Sequence, residues 1–276
     1  MKTSNNRTYR PVLLFSLSRK LFALGFLITM VVPALSQPTA QHGLSGGVDV
    51  GVAFKSGSIN SSLTYYELIS LAQSKTIFIG WTGRLSSFYG QNLDYYTAPA
   101  RLTRGKTGLG ALFTPLLEQN MDTIRFNKVG QTALTIGIRT EVHLGRLELG
   151  ASLDLLGFTI FRKSRTSLVS SSTGLFTLTD SAGRSSLKPF QGAYAMQTAT
   201  PHRFSLRLLG DNDYGMLSTE VYARFRLADQ LRLKVGYQWI STEMVLSNPD
   251  QVTHNDRFRN RSDFLYLGLT FPIEPW

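Results

Sequence analysis

Several stretches of this chain alternate between oily and polar side chains with a period of two, the spacing that gives an extended strand two chemically distinct faces. In residues 230–241, QLRLKVGYQWIS, Leu231, Leu233, Val235, Tyr237 and Trp239 fall on one side. Arg232, Lys234, Gly236 and Gln238 fall on the other. The run before it, 217–227, sets Leu217, Val221, Ala223, Phe225 and Leu227 against Ser218, Glu220, Tyr222, Arg224 and Arg226. Only Ala228 and Asp229 separate the two, so they predict a hairpin. A second hairpin turns near Gly145. Before it, Leu134, Ile136, Ile138, Val142 and Leu144 alternate with Thr135, Gly137, Arg139, Glu141 and His143. After it, Leu147, Leu149, Ala151, Leu153 and Leu155 alternate with Glu148, Gly150, Ser152 and Asp154.

Residues 46–55, 76–86, 93–104 and 263–271 bring the expected strands to eight, with Pro99 interrupting the third. The links near 87–92, at Gly145 and at Ala228-Asp229 are then short, and those at 56–75, 105–121, 161–215 and 244–262 are long. Within 56–75, the spacing of Leu63, Leu68, Ile69 and Leu71 is partly helical and predicts a loop with a short helix. Strict short/long alternation is the loop pattern of a membrane-spanning barrel. The expectation is therefore an all-β fold, an eight-stranded antiparallel transmembrane β-barrel.

The N-terminus agrees with export. Arg19 and Lys20 precede an apolar run at 21–35, LFALGFLITMVVPAL, and small residues stand near its end at Ala34 and Ser36. That is the layout of a secretory signal peptide, and Pro33 keeps the run shorter than the ~20 residues of a helical span. Residues 1–36 are read as a cleaved signal and 37–276 as the outer-membrane barrel domain. The formal charge of +11 is inflated by this segment. Without it, 24 basic and 18 acidic residues remain, with no basic run or motif of a nucleic-acid binder. There are no cysteines, and the four histidines show no metal-ligand spacing. No cofactor or metal is expected.

In a membrane barrel the oily faces meet lipid and the polar faces line the axis. Arg139, Glu141, Glu148, Asp154, Glu220, Arg224, Arg226, Arg232 and Lys234 then form a lumen charge network. Acids and bases in near-equal number would offset the cost of enclosing them, and eight strands leave little open bore. Trp81, Phe225, Trp239 and Phe271 fall near strand ends, where aromatic girdles sit.

LDYYTAPARLTRG (93–105), NMDTIRF (120–126) and LLGDNDYGMLSTEVYARFRL (208–227) are similar to segments of small outer-membrane β-barrels described mostly by location alone, and the chain resembles the OmpA/OmpX-like architecture from about residue 43 onward. The resemblance implies a Gram-negative outer membrane and assembly by its insertion machinery, which reads a terminal strand ending in an aromatic. Leu265, Leu267, Leu269 and Phe271 fit that signal, although PIEPW follows.

The 161–215 loop is basic. Arg162, Lys163, Arg165, Arg184, Lys188, Arg203 and Arg207 would meet lipopolysaccharide phosphates on an outer surface. The function expected is structural or surface-interaction, with outer-membrane lipids and lipopolysaccharide as partners. The alternatives are a narrow pore for small solutes and a lipid A-modifying enzyme using His202, Ser205 and Glu220. Asp211 and Asp213 do not complete a calcium loop and read as part of a polar turn.

Overall fold

A computed structural model describes residues 43–71, 76–208 and 211–273. The 1–36 segment and Trp276 lie outside the described residues. Among the described residues, thirteen strands carry the fold. They are β1 Leu44–Lys55, β2 Ser58–Ser70, β3 Ile77–Thr97, β4 Thr123–Leu144, β5 Leu147–Arg162, β6 Arg165–Ser170 and β7 Leu175–Thr179. The rest are β8 Ser185–Pro189, β9 Met196–Pro201, β10 Phe204–Leu206, β11 Leu217–Ala228, β12 Leu231–Leu246 and β13 Arg257–Ile273.

Every pairing is antiparallel, and the ladder returns to its start. β1 through β5 pair in sequence. β5 then pairs with β11, β11 with β12, β12 with β13, and β13 with β1. These eight strands form a closed ring, which leaves no free sheet edge. The end where β1 begins and β13 finishes is taken as the lower end. The links that join the described strands at that end are short, at 71–76, 145–146 and 229–230. Gly145, at φ +68°, supplies the left-handed backbone that one of these turns requires.

A second, smaller ring stands on the first. The β1–β2 hairpin ends early at Ser56 and Gly57, so above it β13 pairs directly with β3, Phe258 opposite Thr97. On the opposite wall β5 and β11 give way to β6 and β9. β4 pairs with β6, β6 with β9, and β9 with β12. β3, β4, β6, β9, β12 and β13 thus close a six-membered ring. The β7–β8 hairpin caps it, where Phe176 stacks on Phe190 at 5.0 Å. Asp250 pins this cap by accepting from the Leu175 and Thr253 backbone N–H groups, each at 2.8 Å.

Three sequence expectations are corrected. Residues 58–70 are strand β2, not a loop with a helix. Ser58, Asn60, Ser62, Thr64, Tyr66 and Leu68 are buried inward, while Ile59, Leu63, Tyr65 and Ile69 point out. The doublets Tyr65-Tyr66 and Leu68-Ile69 imitate helical spacing. Residues 87–92 are not a turn but the middle of β3, where the alternation slips by one residue at Asn92 (φ +52°). Residues 93–97 continue that strand, and a helical turn at Ala100–Thr103 follows. The alternation of loop lengths therefore fails at the first link. The long upper links are 98–122, 163–216 and 247–256, and the second of these holds β6 to β10.

Candidate functional site

The inward side chains of the eight-strand ring are large and charged. Alternate residues of β1, β3, β4, β5, β11 and β12 supply them, because each strand turns one face toward the axis. Asp49, Glu141, Glu148, Asp154 and Glu220 meet Arg84, Arg139, Arg224, Arg232 and Lys234. Five carboxylates thus face five cations, all buried but Arg232 at the lower rim.

The pairs interlock. Arg139 bonds Asp49 at 2.9 Å and Glu141 at 2.8 Å. Arg224 joins Glu141 and, at 3.1 Å, Glu148, which Arg232 holds at 2.6 Å. Lys234 bridges Asp49, at 2.8 Å, and Glu220. Arg84 lies 3.3 Å from Glu220 and 3.6 Å from Asp154, and donates to Ser152 and Ser218 at 2.8 and 3.0 Å.

Three tyrosines fill the spaces between the ions. Tyr222 donates to Glu141 at 2.6 Å, and Tyr66 accepts from Arg224 at 2.6 Å. The Arg139 guanidinium lies 4.0 Å from the Tyr66 ring centre, and the Lys234 ammonium 4.0 Å from that of Tyr222, a favourable cation–ring arrangement. The third, Tyr266, packs beside Lys234 at 4.9 Å. Glycines make room for these rings. A Cβ on Gly47 would stand 2.7 Å from the Tyr66 hydroxyl, and one on Gly150 would collide with the Tyr222 ring.

Eight of the nine residues expected in this network are in it. Arg226 is not. The β11–β12 register shifts between Arg226 and Ala228, and Arg226 is exposed at the lower turn. Asp49, Arg84, Tyr66 and Tyr266 were not expected in this network, and Tyr222 was expected only on the polar face of its strand. Asp49 and Arg84 occupy polar positions of alternating runs, which is the signal that could have found them. Glu141, His143 and Glu148 can bring donor atoms within 4.8 Å of one another. Both carboxylates are already held by guanidiniums, so the set is neutralised without a metal.

The seven basic residues of the 161–215 segment are dispersed. Arg162, Lys163 and Arg203 are exposed near the upper ends of β5 and β10, beside exposed Phe161 and Phe204. Arg165 and Lys188 are half-buried, and Arg184 pairs with Asp180 at 2.9 Å. Arg207 turns inward, donating to the Asp154 and Ser218 carbonyls at 2.7 and 3.2 Å. Ser205 is buried and accepts from the Met216 N–H at 3.0 Å, while His202 Nδ1 bonds the Phe204 carbonyl at 2.7 Å. Each thus has a partner other than the other.

Asp211 gathers the loops over the upper mouth, pairing with Arg104 at 3.0 Å, Arg259 at 3.3 Å and Arg261. Burial raises its carboxyl, but the Arg261 charge, with help from Arg104 and Arg259, outweighs this and holds it below the usual carboxylate range.

No family model matches the chain, and no curated protein matches it. A solved structure similar to it is the crystal structure of a major outer membrane protein from Thermus thermophilus. The two are 12% identical, with a TM-score of 0.35 over 84% of this chain and 100% of that one.

Proposed function

We propose that the protein is an integral outer-membrane β-barrel, its eight-strand ring in the bilayer and its six-strand ring standing outside. What carries the reading is the inverted polarity of the lower ring, whose outward face is oily and whose interior is ionic. Outward apolar positions span Ile59 to Ile69 on β2, interrupted by Ser61 and Glu67, and Leu134 to Leu144 on β4, interrupted by Thr140, eleven residues each. About 9–11 residues per tilted strand cross a bilayer. Among the described residues no helix is long and apolar enough to cross a membrane. A closed ring meets the bilayer's demand that every backbone polar group be paired within the protein.

The role is structural or surface-interacting and not that of a pore. Interlocked ion pairs fill the lower lumen, and the upper ring is packed with Tyr95, Phe126, Val169, Met244 and Phe258. The exposed bases Arg162, Lys163 and Arg203, beside Phe161 and Phe204, suit a lipopolysaccharide surface, where phosphates meet acyl chains. Two measurements test this. The membrane fraction should yield a band whose gel mobility changes only after boiling, and the purified protein should give no steady single-channel conductance in planar bilayers. Recovery in the periplasm as a soluble species would sink the membrane reading. Steady conductance would replace the structural role with a channel.

A further inference from the structure

Two trios of the same composition sit on the outward wall of the eight-strand ring, each a carboxylate set beside a Tyr and a Trp. Near the lower end, Tyr65 Oη and Trp81 Nε1 both donate to Glu67, the indole at 3.1 Å. The two rings stand 5.5 Å apart and tilted at 58°. Toward the upper end, Tyr237 donates to Asp263, which lies opposite Trp239 on the neighbouring strand. Those rings are 4.9 Å apart.

The trios differ in charge. Lys55 acts electrostatically on Asp263. Among the described residues, Glu67 forms no ion pair with a basic group, and its two partners are neutral donors. Each Glu67 oxygen accepts one of these bonds and keeps a lone pair open for a further donor. The tilted rings add two electron-rich faces that favour an ammonium. Gly83 stands beside the trio on the outward face, where a Cβ would come 3.6 Å from Trp81 Cζ3.

We infer that Glu67, Tyr65 and Trp81 form a binding notch for the primary ammonium of a phospholipid headgroup, an inference that rests on the membrane reading above. The ammonium donates to the open carboxylate lone pairs while the lipid tails lie along the oily wall. A quaternary headgroup offers no N–H donor, and an anionic one is repelled.

The test uses the full-length protein in detergent, titrated separately with phosphatidylethanolamine, phosphatidylcholine and phosphatidylglycerol, with retained lipid counted by native mass spectrometry. Phosphatidylethanolamine should be retained preferentially. Glu67→Gln, whose single amide oxygen can still accept from Trp81 while its NH2 donates to the Tyr65 hydroxyl, should lower that retention about tenfold, and Asp263→Asn should leave it unchanged. Equal retention of the three lipids, or unaltered retention by Glu67→Gln, would overturn the site. Boiling-dependent mobility and insertion into phosphatidylglycerol vesicles are measured on the same samples. If the wild type lacks both, the membrane reading itself has failed, and this site with it.

Discussion

The two stacked rings share four strands yet are built in opposite senses. In the lower ring Arg84, Arg139, Glu141 and Lys234 face the axis, while Leu85, Ile138, Val142 and Val235 face out. In the upper ring Tyr95, Ile124, Phe126 and Phe258 face the axis, and Arg125 and Asp94 pair on the outside at 2.6 Å. Within β4 alone, the outward face changes from Leu134–Leu144 to Lys128 and Arg125 in a few residues. A single wall reverses polarity only if its surroundings change along its length. The upper ring follows the rule of a soluble domain, in which apolar surface leaves water. On the membrane reading proposed above, the lower ring stands in an apolar surrounding, and the reversal marks where that surrounding ends.

Removing one ion from the lower ring should do the most damage. Arg224→Ala strips a partner from both Glu141 and Glu148 in an enclosed space, at an expected cost of about 3–5 kcal/mol. The temperature at which the folded gel band is lost should fall sharply, or no folded band should form. Arg224→Ala/Glu141→Gln should recover part of the loss, because one stranded charge is removed with its partner. In the upper ring the matching injury is a cavity. Phe126→Ala, which empties the ring packed at 5.1 Å against Tyr95, should cost about 3 kcal/mol and expose the β3–β4 ends to protease. Equal sensitivity of both rings to charge removal would erase the contrast.

How far the sequence could be read follows from where alternation runs unbroken. It marked β4, β5, β11, β12 and β13, whose inward charges are Arg139, Glu141, Glu148, Asp154, Glu220, Arg224 and Lys234. It misread β2, because the inward residues Ser58, Asn60, Ser62 and Thr64 are small and polar and carry no charge. It split β3 because the phase slip at Asn92 looks like a turn to a period-two reading. The β6–β10 strands passed as loop because none exceeds six residues. Alternation puts Asp49 on the polar side of β1, but its partners were not legible, since Arg139, Arg224 and Lys234 reach it only after the ring closes. The upper ring depends on pairings between strands distant in the chain and was not legible at all.

The boundary between the rings is open to a smaller, more discriminating test. Leu267→Arg, on the oily wall, should cost about 2–4 kcal/mol if that wall is near mid-bilayer. Thr198→Arg, exposed on the outside of the upper ring, should stay within about 0.5 kcal/mol. Comparing their stabilities after refolding into vesicles would settle the direction. A Leu267→Arg variant as stable as Thr198→Arg would mean that both rings stand in water. Spin labels at Val235 and Leu267 should likewise report hydrocarbon, and a label at Thr198 should report water.

The smallest effect separates the rings by pH. Asp211 and Asp250 lie in the upper loops, and both are held below the usual carboxylate range. Burial raises each, but Arg261, Arg104 and Arg259 outweigh it at Asp211, and hydrogen bonds from Thr253, Val252 and Leu175 do so at Asp250. A carboxyl lowered on folding stabilises the fold above its unfolded value of about 3.9, and that contribution fades as pH falls through the lower folded value. Below about pH 4, the loops at 211–216 and 247–256 should therefore gain hydrogen exchange and protease sensitivity. The effect should be local, because Asp211 ties Arg104 to Arg259 and Arg261 at the upper end of β13 while Asp250 ties the β7–β8 cap, and neither pairs with the lumen charge network. Asp211→Asn should bring the loosening of the 211–216 loop to neutral pH and leave the boiling-dependent gel shift intact. If that shift is lost together with loop protection, the upper ring is not an appendage to an independently stable lower one, and the two unfold as a unit.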